Sequence, residues 1–243
     1  MFGFLISAIK IVFLLGFLVF IHECGHFFVA KLCKVKVNEF AIGFGPTILK
    51  KQGKVTKYAL RLIPLGGFVS MEGEDERSQE EGSFSETSII KRILIVMAGG
   101  LVNILFAILM FWILSIIVLG FKNSFINVAY FLKETVKSLV QLFTGKMSMD
   151  NMVGPVGISS VVSKTSGLFD FAYIMTLISL SLGITNLLPF PPLDGGKVVL
   201  LIIEAIRKKP LNQKIEVAIQ SIGFIALITL SVFVTYNDIL KLR

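Results

Sequence analysis

Four stretches of this chain are long and predominantly apolar: Ile11–Leu32, Ile93–Gly120, Phe171–Leu188 and Val217–Tyr236. A helix needs roughly 20 apolar residues to cross a hydrocarbon core about 30 Å thick, so each predicts a membrane span. Between the first and second, residues 35–71 change character. Gly43, Gly45, Pro46, Gly53, Pro64, Gly66 and Gly67 punctuate short runs rich in β-branched and aromatic residues. That pattern predicts four short strands in a small membrane-associated hairpin sheet, with a turn at Gln52-Gly53. Glu72–Glu86 is acidic and polar and reads as a mobile, solvated loop. Phe125–Phe143 places Phe125, Val128, Leu132, Val136 and Val140 on one stripe, which predicts an amphipathic helix in the membrane interface. Gly154-Pro155-Val156-Gly157 then breaks the chain ahead of the third span.

The fold class expected is therefore an α-helical polytopic membrane protein forming one membrane-embedded domain over residues 1–243. Composition agrees, with 54% hydrophobic and only 16% charged residues. The net charge of +8 is better explained by orientation than by nucleic acid, which is not an expected partner. Lys31–Arg92 and the stretch after the third span are rich in Lys and Arg, while the stretch between spans two and three is sparse. The positive-inside rule then places both termini outside the cytoplasm. Cys24 and Cys33 lie on or beside one span and offer no disulfide framework.

The first span contains something unexpected for lipid: His22-Glu23-Cys24-Gly25-His26, with both of the chain's histidines. Helical positions i and i+4 share a face, so the two imidazoles can converge on one metal ion while Glu23 reaches a water bound to it. Ionisable groups at membrane depth need partners and a task. Taking Lys10 and Lys31 as the edges of the span, His22 lies roughly 18 Å from one and about 14 Å from the other at 1.5 Å per residue. The motif sits inside the bilayer, toward the cytoplasm.

A zinc hydrolase uses three protein ligands and keeps one position open. With no third histidine, the missing ligand is a carboxylate or a cysteine. Asp194 stands out in Asn186-Leu187-Leu188-Pro189-Phe190-Pro191-Pro192-Leu193-Asp194-Gly195-Gly196, where the prolines must unwind the third span. An unwound segment at membrane depth is tolerated where it lines a cavity. Asp194 there is either the third ligand or the N-cap of the next helix. Metal transport and non-catalytic binding of membrane segments are the competing functions. A transporter has no use for Glu23, and no internal repeat is visible.

Taken together, His22-Glu23-x-x-His26, Gly43-Phe44-Gly45-Pro46 and the Asn186…Pro189-x-Pro191-x-Leu193-Asp194-Gly195-Gly196 run resemble the site-2 protease family of intramembrane zinc metalloproteases, and its RseP-type bacterial branch in particular. Ala98-Gly99, Asn103 and Gly154-Pro155-Val156-Gly157 extend the likeness over nearly the whole chain. The resemblance implies one Zn2+ per chain bound by His22, His26 and Asp194, with Glu23 as catalytic base and Asn186, Pro189 and Pro191 holding the substrate strand. It implies single-span substrates such as anti-sigma factors or signal-peptide remnants, in a bacterial cytoplasmic membrane. Two departures stand out. Gly100 occupies a position where the family usually has proline, and Phe121–Phe169 is too short for the PDZ domains usually inserted there.

Overall fold

The computed structural model describes residues 2–74, 76–144 and 154–241. Helix α1 (Phe2–Leu32) carries the first span. Strands β1 (Val37–Gln52) and β2 (Lys57–Met71) follow, then α2 (Ile89–Phe143), α3 (Pro155–Ser163), α4 (Leu168–Asn186), α5 (Asp194–Arg207) and α6 (Gln213–Lys241). Four of these, α1, α2, α4 and α6, are long and apolar enough to cross a membrane.

All four predicted spans are present, with shifted limits. Helix α1 begins nine residues ahead of Ile11, because residues 2–10 are largely apolar and contain no proline to stop it. Lys10 therefore does not end the span. Its Nζ donates to the carbonyl oxygen (2.8 Å) and hydroxyl (3.2 Å) of Thr165, just beyond α3. Helix α3 itself was not legible as a helix. Pro155 starts it at the one place where a missing N–H costs nothing, the first turn.

The predicted amphipathic helix exists as the second part of α2, and it does not lie apart from the span. At Gly120 the backbone adopts φ 74°, ψ 165°, a conformation open to glycine and costly for other residues. The chain folds back there. Phe111 stacks on Phe131 with ring centroids 4.0 Å apart, and Asn127 Nδ2 donates to Ser115 Oγ at 2.8 Å.

The sheet is made of two long strands where four short ones were expected. Gly43 and Gly45, with φ of 87° and 84°, bend β1 without ending it. As a result Glu39–Ile42 pairs on one side with Ser70–Gly67 and on the other with Lys57–Leu60, which in turn pairs with Gln52–Leu49. Four segments do lie side by side, and they belong to one curled hairpin. The turn occupies the residues just after Gln52, closed by Gly53 N–H donating to Thr56 O at 2.9 Å. In this order Gly67–Met71 is an outer edge.

Residues 72–74 and 76–86 are not free chain. Ser83 Oγ and Ser85 Oγ both donate to Ser78 O, and Thr87 Oγ1 donates to Ser83 O. Hydroxyls that bond nearby backbone tie such a loop down without regular structure.

Two buried clusters flank the middle of α1. One joins Ala30, Val37, Ile95, Val96 and Leu201 near its end, where α1, the sheet, α2 and α5 meet. The other joins Leu14 and Leu18 to Val162 and Met175, with Phe17 and Phe106 packed against them. Helices α2 and α4 touch through bare backbone: a Cβ on Gly100 would lie 2.9 Å from Gly183 O. That contact accommodates the glycine found where proline was expected.

Arg92 at the start of α2 pairs with Glu204 of α5 at 2.5 Å, the side chains being 10% and 13% exposed. Removing one member of such a pair strands a buried charge, at a cost of about 3–5 kcal/mol. Glu204→Ala is expected to lower unfolding stability by that order. The double variant Arg92→Met with Glu204→Met should recover most of the loss in the same unfolding titration.

Candidate metal centre

His22 and His26 project from one face of α1 toward α2. They fit because α2 has no side chain at Gly99. A Cβ there would fall 2.7 Å from both Nε2 and Cε1 of His22 and closer still to Nε2 of His26. Gly25 makes the reciprocal approach, its Cβ position lying 2.8 Å from the Ala98 carbonyl carbon. The two imidazoles stand edge to face, with planes at 81°.

Asp194 reaches the same point from the other half of the chain. Helix α4 ends at Asn186, and the proline-rich segment carries the backbone to Leu193, which holds the N-cap position of α5. Asp194 is thus the first residue of α5 and not its cap. Its carboxylate turns toward α1. Asp194 Oδ2 lies 3.2 Å from His22 Nε2 and 3.5 Å from His26 Nε2, and the two Nε2 atoms are 3.2 Å apart.

His26 Nδ1–H donates to the Ile95 carbonyl at 2.8 Å, which leaves its Nε2 as a lone pair. In the His22 tautomer that carries its proton on Nδ1, three acceptor atoms converge where a cation can bridge them. A tetrahedral zinc ion, with bonds of about 2.0–2.1 Å, holds its ligand atoms about 3.3–3.4 Å apart, and this set matches. Among the described residues, no other group of His, Cys, Asp and Glu has this arrangement. Cys24 and Cys33 are free and take no part.

The three residues border a cavity of about 240 Å³, together with Glu23. Glu23 Cγ rests against the bare Cα side of Gly67, 3.1 Å from where a Cβ would be. One wall is the outer edge of the sheet, through Phe68, Val69 and Met71. That edge has no strand partner among the described residues. Pro191 and Pro192 form another part of the wall, and Gly223 of α6 packs tightly on Pro191. Of the expected substrate residues, only Pro191 lines the cavity. Asn186 and Pro189 are not among its lining residues.

Sequence reasoning missed Glu74, Lys197 and Gln220, which also face the cavity. Lys197 Nζ donates to Glu74 Oε1 at 2.6 Å, tying α5 to the segment after the sheet edge. Lys197 was findable, since it follows Asp194 by three residues on a helix and so shares its face. Gln220 had no such signal.

A convergent triad able to hold a metal ion, with an adjacent glutamate in a cavity among apolar spans, fits the class of membrane-embedded metallohydrolases. The comparisons give the particular family: the chain belongs to peptidase family M50, which its residues 10–230 match. It is a zinc metalloendopeptidase of the site-2 protease type and a multi-pass membrane protein. It is similar to zinc metalloprotease RasP of Geobacillus kaustophilus, at 24% identity over 97% of this chain and 98% of that protein. Proteins of Fusobacterium nucleatum (27% identity, 95% of this chain and 98% of the relative) and Clostridium acetobutylicum (29%, 92% and 94%) carry names that provisionally call them zinc metalloproteases. The alignment with the Fusobacterium protein runs over 335 positions, more than this chain possesses. That relative thus has residues with no counterpart here, and no PDZ domain appears among the described residues.

Proposed function

We propose that the chain cuts peptide bonds of single-span membrane proteins within or near the bilayer, using one zinc ion held by His22, His26 and Asp194. The observation that carries this reading is the meeting of those three side chains from two distant segments, with Glu23 beside them in one cavity. Zinc in that site supplies a Lewis acid that makes water acidic enough to ionise near neutral pH.

Glu23 then serves as the general base. It takes a proton as water attacks the scissile carbonyl carbon, and it returns that proton to the amine when the C–N bond breaks. A substrate helix hides its carbonyls in its own hydrogen bonds and must be drawn out first. The open edge at Gly67–Met71 suits that purpose, because an added strand regains its backbone bonds there while lying along the cavity. Pro191 offers a wall that cannot compete for those bonds. Asn186, the last residue of α4, and Pro189, in the unwound segment after it, are assigned to the substrate strand by the family resemblance, from positions outside the cavity lining.

By chemistry, the substrates are spans weakened by helix-breaking residues. By family resemblance these include anti-sigma factors and signal-peptide remnants. The basic residues of the sheet and α5 regions orient the protein in a bacterial cytoplasmic membrane, with both termini outside and the cavity toward the cytoplasm.

Purified protein reconstituted with a single-span test substrate should cleave it, and Glu23→Gln should lower turnover by at least about 100-fold while retaining zinc. Asp194→Ala should lose both zinc and activity. Undiminished cleavage by Glu23→Gln would remove Glu23 from the reaction, and stoichiometric zinc in Asp194→Ala would remove Asp194 from the ligand set. Proline placed singly at Phe68 or Val69 should cut kcat/KM in at least one case with zinc unchanged; no effect in either would dismiss strand addition. For orientation, a single cysteine at Glu76 should be labelled only from the cytoplasm, and one at Lys122 only from outside. The opposite result would reverse the topology.

A further inference from the structure

Besides Asp194 Oδ2 in the centre itself, three buried polar side-chain atoms near it have no hydrogen-bond partner: Nδ1 of His22 and both amide atoms of Asn103. A fully buried carboxamide without partners gives up its hydration and gains nothing in return. Nothing in the packing of α2 requires that cost, since an apolar residue of similar size would avoid it. Ser179 Oγ bonds only the main-chain oxygen of Asn103, at 2.9 Å, and leaves the amide alone.

The helical register brings the two orphans together. Helices α1 and α2 run antiparallel: Phe17 meets Phe106, His22 meets Gly99, and His26 meets Ile95. Ile95, Gly99 and Asn103 are spaced by four and form one stripe on α2. A helical side chain leans toward the N-terminus of its own helix. Asn103 thus leans back over Gly99, and His22, on the opposed helix, leans out toward the level of Asn103. Gly99 places no side chain between them. His22 Nδ1 is bonded to Cε1, the atom that lies 2.7 Å from the Gly99 Cβ position, so it borders the same gap.

Metal-binding histidines almost always donate their second ring N–H to an acceptor, which fixes the tautomer and the ring orientation. His26 has such an acceptor in the Ile95 carbonyl. His22 lacks one within its own helix. The geometry points to Asn103 as the positioning residue for His22: its Oδ1 accepts from His22 Nδ1–H, through a turn of the carboxamide or one buried water. A water there would have His22 Nδ1, Asn103 Oδ1 and Asn103 Nδ2 as partners, the usual number for an internal water. The inference rests on the metal-centre reading of His22, His26 and Asp194, and deepens it.

The test is the zinc affinity of the full chain in detergent, measured by competition with a chelator and independent of cleavage. Asn103→Leu is expected to weaken zinc binding by about 10–100-fold, while Asn103→Asp, which keeps an acceptor, retains it. Ser179→Ala removes the neighbouring hydroxyl without touching the carboxamide, and is expected to leave zinc affinity unchanged. If Asn103→Leu does not fold, Asn103→Ala carries the same expectation. Wild-type affinity in the folded Leu or Ala variant overturns the assignment. So does an equal loss in Ser179→Ala, which would mark a packing effect. Failure of the wild-type chain to bind zinc stoichiometrically would instead overturn the metal-centre reading itself, before any variant is compared.

Discussion

Two imidazole nitrogens and a carboxylate oxygen held 3.2–3.5 Å apart among apolar spans are the constraint around which this protein is arranged. Such a group needs a proton or a cation between its members, because stranded polar atoms are costly away from bulk water. A divalent ion bound there would cross-link the first and fifth helices. The surrounding features follow from making room for it. Gly25 and Gly99 let α1 and α2 approach until only imidazoles fit between them, and Gly100 and Gly183 do the same for α2 and α4. The break between Asn186 and Asp194 is needed because a continuous helix would carry the carboxylate past the site.

The cavity reconciles two opposed demands. Hydrolysis needs water and an extended substrate, while the membrane favours neither. The curled hairpin resolves this by presenting an unpaired edge to the cavity while its other segments satisfy one another. Elsewhere an open edge is a liability. Here it faces the one place where another backbone has reason to arrive. The Lys197–Glu74 pair links that edge's continuation to the helix carrying Asp194, so the two walls of the cavity are coupled.

Much of this was legible in the chain because hydrophobic length and metal-ligand spacing are local signals. The four spans, the His22–His26 face and the unwinding at Pro189–Pro192 needed no tertiary knowledge. What was not legible depended on contacts. Lys10 looked like an edge marker, and became an interior cation only because Thr165 lies opposite it. Gly43 and Gly45 looked like strand ends, yet continuous pairing on both sides of Glu39–Ile42 keeps β1 whole. The fold-back at Gly120 required Phe131 to find Phe111. Asp194 could be read as ligand or cap until the backbone gave Leu193 the cap position. In the chain alone, Asn103, a polar residue close to Gly99 and Gly100, reads more readily as packing between helices than as part of the site. Its unpartnered amide is visible only in three dimensions.

X-ray absorption at the zinc edge of the purified wild-type protein tests the central claim most directly. The account predicts a four-coordinate ion with two imidazole nitrogens and two oxygens at about 2.0–2.1 Å, and no sulfur shell. A sulfur contribution near 2.3 Å, or a single imidazole, would contradict it.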